Sequence, residues 1–159
     1  MKISEILKED LINTSLKGNT KEEIINEMID LLVKSSVADK ILDKEKVRNC
    51  IFEREKIMST GVGNGFAIPH GKTDAVSDIV AAFGITEKPI DYQSLDEKPV
   101  RLVFLLVARE NMVGPHIKLL SRISRLMNKE EFRQKLLTLS SPVEILETFK
   151  NEESSYFDI

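Results

Sequence analysis

The side chains in this sequence best suited to relaying a phosphoryl group are its 2 histidines. His70 closes the run Ser59-Thr60-Gly61-Val62-Gly63-Asn64-Gly65-Phe66-Ala67-Ile68-Pro69-His70-Gly71, a glycine-spaced loop that leads into a short apolar segment. His116 follows Gly114-Pro115. Neutral imidazole attacks phosphorus readily near pH 7, and the resulting N–P bond stays reactive enough to hand the group on. The remaining work in such a transfer is positioning and stabilising charge on the equatorial oxygens. His116, Arg54 and the backbone N–H groups of the loop spanning Thr60, Gly61, Gly63, Asn64 and Gly65 are candidates for it. At a helix N-terminus His116 would be held neutral by the dipole, at a spot that welcomes phosphate. Structural alternatives stand beside each assignment: a tight turn for the glycines, a satisfied core position for His116 and an ordinary surface charge for Arg54.

Competing chemistries fit less well. Gly61, Gly63 and then Phe66 miss the third glycine of a dinucleotide fingerprint, and Gly65 lies one residue too close to Gly71-Lys72-Thr73 for a P-loop. Two histidines without HxxxH or CxxC spacing, even with Asp74 and Asp78 nearby, do not make a metal site. Cys50 falls on an apolar helix face, where a thiol is inert and reads as core. No metal and no cofactor is expected.

The elements that must position these groups follow from periodicity and caps. Ile3, Ile6 and Leu7 suit one helical turn, and residues 11–16 a short strand before Gly18-Asn19. Thr20 and Glu23 have capping-box spacing ahead of Ile24, Ile25, Met28, Ile29, Leu31 and Leu32, which recur with helical period. Asp43 caps a second helix, on which Val47, Cys50, Ile51, Arg54 and Met58 share a face and turn Arg54 toward the body of the protein. Residues 66–70 read as a short strand that Pro69 confines to an edge or an end. The apolar runs 79–85 and 102–108 read as strands covered on both faces. The segment 87–99 between them, with two prolines and several charges, reads as a surface loop. Pro115 suits a first helical position, with His116, Leu119, Leu120, Ile123, Leu126 and Met127 as one stripe behind it. Phe132, Leu136 and Leu137 mark another helix, and Ser141-Pro142-Val143-Glu144 opens a last one. The pattern predicts an α/β fold, a three-layer helix/sheet/helix sandwich around a small mixed β-sheet. Residues 1–150 form a single domain, followed by a frayed tail over 151–159.

The 159 residues, 42% of them hydrophobic, can build one real core. One cysteine precludes an internal disulfide, and the N-terminus lacks signal-peptide character, so a cytoplasmic protein is expected. Apolar runs are strand-sized, so any membrane association is through a partner. A net charge of -3 offers no basic surplus for nucleic acid.

These residues resemble a known family, the fructose/mannitol-class (type 2) enzyme IIA proteins of the bacterial phosphotransferase system, including their nitrogen-related regulatory branch. The run from Ser59 to Gly71 matches the family's active-site signature almost throughout, with Phe66 where a smaller aliphatic residue is usual. Arg54-Glu55 precedes it at the family spacing, and His116-Ile117-Lys118-Leu119-Leu120 resembles the second-histidine helix. Glu97-Lys98 replaces a usual glycine-containing turn before Pro99. The resemblance implies that His70 is phosphorylated and that His116 and Arg54 line its pocket. It implies the histidine-containing phosphocarrier protein as donor and a cysteine of a sugar permease's IIB unit as acceptor. In the regulatory alternative, phosphorylation governs binding to other proteins. Val62, Phe66, Met112 and Val113, set beside the two histidines, are expected to dock partners.

Overall fold

Two of the helices start on polar caps. The Thr20 side chain accepts a hydrogen bond from the Glu23 N–H and starts α2 (Lys21–Val33); the Asp43 carboxylate does the same for Lys46 and starts α3 (Lys44–Ile57). Each cap satisfies an orphan donor of the first turn, worth about 1 kcal/mol. The structure is a computed structural model, described for the backbone of residues 1–157 and the side chains of residues 1–155. A short α1 (Ile3–Ile6) precedes α2, and α4 (Val113–Met127), α5 (Glu130–Leu137) and α6 (Pro142–Phe157) follow the sheet. Pro142 is the first residue of α6, as its fixed φ favours.

Six strands form one mixed sheet: β1 (Ile12–Leu16), β2 (Gly61–Gly63), β3 (Phe66–Ala67), β4 (His70–Lys72), β5 (Val80–Ile90) and β6 (Val100–Ala108). The order is β1-β5-β6-β3-β2, with β4 also on β6. β5 and β6 pair antiparallel, whereas β3 and β4 both run parallel to β6, one after the other. The expected single strand over 66–70 is therefore two, interrupted at Ile68-Pro69 because proline has no N–H for the ladder. α2 packs on β5 and α3 on β4, while α4 packs on β6 and α6 on β1. On the α6 side, Phe83, Phe104 and Phe132 meet the Phe149 ring with near-perpendicular rings, centroids 5.1–5.7 Å apart, pairs worth about 1 kcal/mol each beyond burial. This is the three-layer sandwich expected from the sequence.

Three local expectations are corrected. Segment 87–99 is not all surface loop: β5 runs on to Ile90, and Tyr92 and Ser94 are buried. Pro89 is accommodated because the ladder to β6 is irregular between Ile85 and Ile90. α4 begins at Val113, which makes Pro115 its third residue and not its first; a first-turn N–H has no intrahelical partner to lose. α6 continues past Asn151 to Phe157, where a frayed tail was expected, and buried Glu153 accepts hydrogen bonds from the Ile3 and Ser4 N–H groups. Residues 158 and 159 lie outside the described residues. Glu97 has φ +62, a left-handed conformation that glycine adopts without penalty.

Candidate active site

The register of β4 on β6 sets the site. His70 pairs with Leu106, Gly71 with Val107 and Lys72 with Ala108. Alternation along a strand puts His70 and Lys72 on one face of the sheet and Gly71 on the other. A Cβ at Gly71 would come within 2.5 Å of Cys50 Sγ, so glycine is what lets α3 lie this close. On the other face, α4 presents His116.

The His70 ring is anchored by its own strand. Nδ1 lies 2.7 Å from the Ile68 carbonyl oxygen. A carbonyl only accepts, so Nδ1 carries the proton and donates it, leaving the lone pair on Nε2. Buried His116 lies beside it, ring centroids 5.7 Å apart and planes at 52°. Its Nδ1 is buried without a hydrogen-bond partner, so this ring is held by packing and not by a polar tether. Burial lowers the His70 pKa below the ordinary histidine value; the Ile68 hydrogen bond partly offsets this, and the Arg54 charge adds to the lowering. Burial likewise lowers His116 to about 4, helped by the charges of His70 and Lys72. Both rings are neutral at pH 7. The expectation that a helix dipole keeps His116 neutral gives way to burial as the main cause.

Around the two rings α3 supplies Cys50, Glu53, Arg54 and Ile57, β4 supplies Gly71 and Lys72, and α4 supplies Leu120. Arg54 is half-buried, and its guanidinium donates to the Met58 carbonyl at 2.8 Å. His70, His116 and Arg54, the three residues expected to act together, thus share one pocket. The phosphate-binding loop expectation is corrected: none of Thr60, Gly61, Gly63, Asn64 and Gly65 lines that pocket. Thr60 is buried against Glu55, Gly61 pairs with Ala67, and the Gly63-Asn64-Gly65 turn has its Asn64 N–H on the Asp96 carboxylate at 3.0 Å. Positive φ at all three turn residues explains the glycines: 131° at Gly63, 57° at Asn64 and 82° at Gly65.

Phe66 is fully buried, so it is corrected as a docking residue; its pairing with Leu102 turns it into the core. Val62 and Val113 are exposed, and Met112 is half-buried against the core. The sequence missed Ile57 and Ile117, 80% and 60% exposed. It also missed Lys72, which the two-residue period from His70 could have pointed out. Cys50, expected in the core, is half-buried in the pocket wall. Its thiol donates to the Lys72 carbonyl, and burial raises its pKa. Met58, expected on the inward face of α3, is exposed. Among the described residues, no three His, Cys, Asp or Glu side chains are grouped to hold a metal, and no helix is long and apolar enough to cross a membrane.

Comparison with known proteins places this geometry. Residues 5–152 match the family model described as "Phosphoenolpyruvate-dependent sugar phosphotransferase system, EIIA 2". The "PTS system fructose-specific EIIABC component" of Bacillus subtilis (strain 168) is 38% identical over 96% of this chain, which spans about a quarter (24%) of that protein's length. A "Nitrogen regulatory protein" of Bradyrhizobium diazoefficiens is 36% identical, covering 86% of each chain. The crystal structure of nitrogen regulatory protein IIA-Ntr from Neisseria meningitidis superposes with a TM-score of 0.83 at 34% identity, covering 92% of this chain and 98% of that one.

Proposed function

This chain belongs to the EIIA 2 family of the phosphoenolpyruvate-dependent sugar phosphotransferase system, and from that membership we propose that it carries a phosphoryl group on His70 Nε2. The observation that carries the reading is the Ile68 carbonyl on Nδ1, which leaves Nε2 as the nucleophile in a pocket shared with His116 and Arg54. The Nε2 lone pair attacks the phosphorus of a phosphohistidine on the donor, the histidine-containing phosphocarrier protein. The donor's N–P bond breaks, and its electron pair returns to the donor ring. As positive charge develops on the His70 ring, the Nδ1 proton becomes more acidic and the Ile68 carbonyl holds it more strongly. Arg54 and His116 contact the equatorial oxygens, Arg54 as a cation and His116 as a neutral donor. Discharge reverses these steps: a cysteine thiolate of a IIB unit attacks phosphorus, and the N–P electron pair returns to Nε2. The name of the Bacillus relative, which joins A, B and C components, supports that acceptor.

Partners meet the protein at the apolar rim of the pocket, through Val113, Met112 and Ile117 of the α4 end and Ile57 and Met58 of the α3 end, with Val62 farther out. Intact-protein mass spectrometry after incubation with phosphoenolpyruvate, enzyme I and the phosphocarrier tests the reading. One acid-labile phosphate is expected on the wild type and none on His70→Ala; no phosphate on the folded wild type would sink it.

The similarity to nitrogen regulatory proteins favours a second reading, a regulatory phosphoprotein whose state governs binding to other proteins. The two separate at discharge. Transfer from phosphorylated protein to a IIB unit supports sugar transport, whereas stable phosphate in the presence of IIB units supports regulation.

A further inference from the structure

Directly behind Arg54 lies a buried polar cluster that the transfer chemistry does not use. Glu55 follows Arg54 on α3, and its side chain is only 4% exposed. Its carboxylate accepts the Thr60 backbone N–H at 2.8 Å and the Thr60 hydroxyl at 2.5 Å. Lys21, the first residue of α2, pairs with it at 2.7 Å and lies over the Tyr92 ring at 4.9 Å from its centroid. The Tyr92 hydroxyl in turn reaches Thr60 Oγ1 at 3.0 Å. Burying an ion pair costs so much desolvation that apolar residues of the same volume often serve stability as well or better. What the cluster adds is geometric: one carboxylate binds the end of α3, the start of α2 and the chain leading into β2.

Those tethers reach the pocket through the backbone. Thr60 is fixed at its N–H and its hydroxyl, and two residues before it stands Met58, whose carbonyl holds the Arg54 guanidinium. Lys56, Ile57 and Met58 are exposed and contribute little packing of their own. We propose that Glu55 is a positioning residue for phosphoryl transfer, acting through Thr60 and the Met58 carbonyl to aim Arg54 at the group on His70. This rests on the reading of His70 as phosphoryl carrier. Lys21 completes the device: it satisfies the carboxylate, so the cation next in sequence is left for phosphate and not drawn back to Glu55. An untethered helix end would let the long arginine side chain wander, and ordering it would fall on every transfer step.

The test is a double-mutant cycle. Glu55→Gln and Thr60→Val are made alone and with Arg54→Ala. Rapid-quench measurement follows His70 phosphorylation by the phosphorylated phosphocarrier, with circular dichroism as the folding check. With Arg54 present, each variant slows the transfer about 10-fold; in the Arg54→Ala background the further loss is below about 2-fold, because nothing is left to aim. Thr60→Val keeps the ion pair and its charges, so it decides the matter even if Glu55→Gln does not fold. It raises the His70 titration, followed by NMR, because the Arg54 charge that lowers it is no longer held beside the ring. Full slowing in the Arg54→Ala background, no slowing with Arg54 present, or an unmoved His70 titration in Thr60→Val overturns the proposal. Absence of phosphate on the wild type would instead bring down the functional reading beneath it, which keeps the two failures apart.

Discussion

At the Gly63-Asn64-Gly65 turn the backbone is spoken for: Asp96 takes the Asn64 N–H, and the Gly65 carbonyl accepts from the Arg101 and Leu102 N–H groups. At His70, five residues on from Gly65, the situation is reversed, because the ring keeps Nε2 for a ligand in a pocket it shares with Arg54. Both ends belong to one uninterrupted run of sequence, yet Phe66 pairs with Leu102 and His70 with Leu106. Four residues of β6 separate them, about 13 Å at strand rise. A motif can thus be continuous in sequence and divided in labour, with glycines that shape a hairpin at one end and the proposed chemistry confined to the other.

The sharpest way to break that division is to disable each end and ask which one stops the chemistry. His70→Ala abolishes the acid-labile phosphate seen by intact mass, whereas Gly65→Ala retains it. His116→Ala is still labelled, about 100-fold more slowly in quenched-flow measurement, the scale of a lost donor. Loss of all labelling in His116→Ala with retention in His70→Ala would exchange nucleophile and helper. Ile117→Glu beside the pocket lowers kcat/KM for the phosphocarrier about 10-fold through KM, as an interface charge does, while Val62→Glu at the turn end changes it less than about 3-fold.

Smaller effects at the turn end appear in stability alone. Gly65→Ala costs about 1 kcal/mol in urea denaturation because its φ of +82° is left-handed, although no atom closer than 3.8 Å crowds the new methyl. Glu97→Gly, at φ +62, returns up to about 1 kcal/mol. Neither alters the transfer rate. Acidification separates the ends as well. His116 titrates at about 4 when folded and near 6.5 when unfolded. Between those values the unfolded chain binds more protons, so stability falls as pH drops from 6.5 toward 4. His70, lowered in the same direction, adds to the slope. His116→Ala flattens it, and a turn variant such as Gly65→Ala leaves it in place.

What could be read from the sequence was local. Thr20, Asp43 and Pro142 mark helix starts because each satisfies or spares a first-turn donor within a few residues of itself. The helical stripe from His116 to Met127 was legible because burial follows a period of 3.6, and its first member, His116, lines the same pocket as His70. What escaped notice was decided across long separations. Tyr92 is buried because Thr60 and Lys21, from two other elements, converge on it. Lys72 enters the pocket only because β4 pairs in one particular register. The turn glycines invited a phosphate-binding role because spacing reports where the backbone can bend and not where its N–H groups are already bonded.

The strand β6 also constrains how lineages of this chain can change in length. Since neighbouring residues face opposite sides, losing or gaining one residue between Ala67 and His70 would swing the imidazole onto the α3 face and drive a bulky side chain into the place of Gly71, against Cys50. Side chains along this stretch can change in size while its length stays fixed. On the route from Ile90 to Val100, burial holds Tyr92 and Ser94 and the Asn64 N–H holds Asp96, so insertions should accumulate at the exposed Glu97-Lys98 as such proteins diverge.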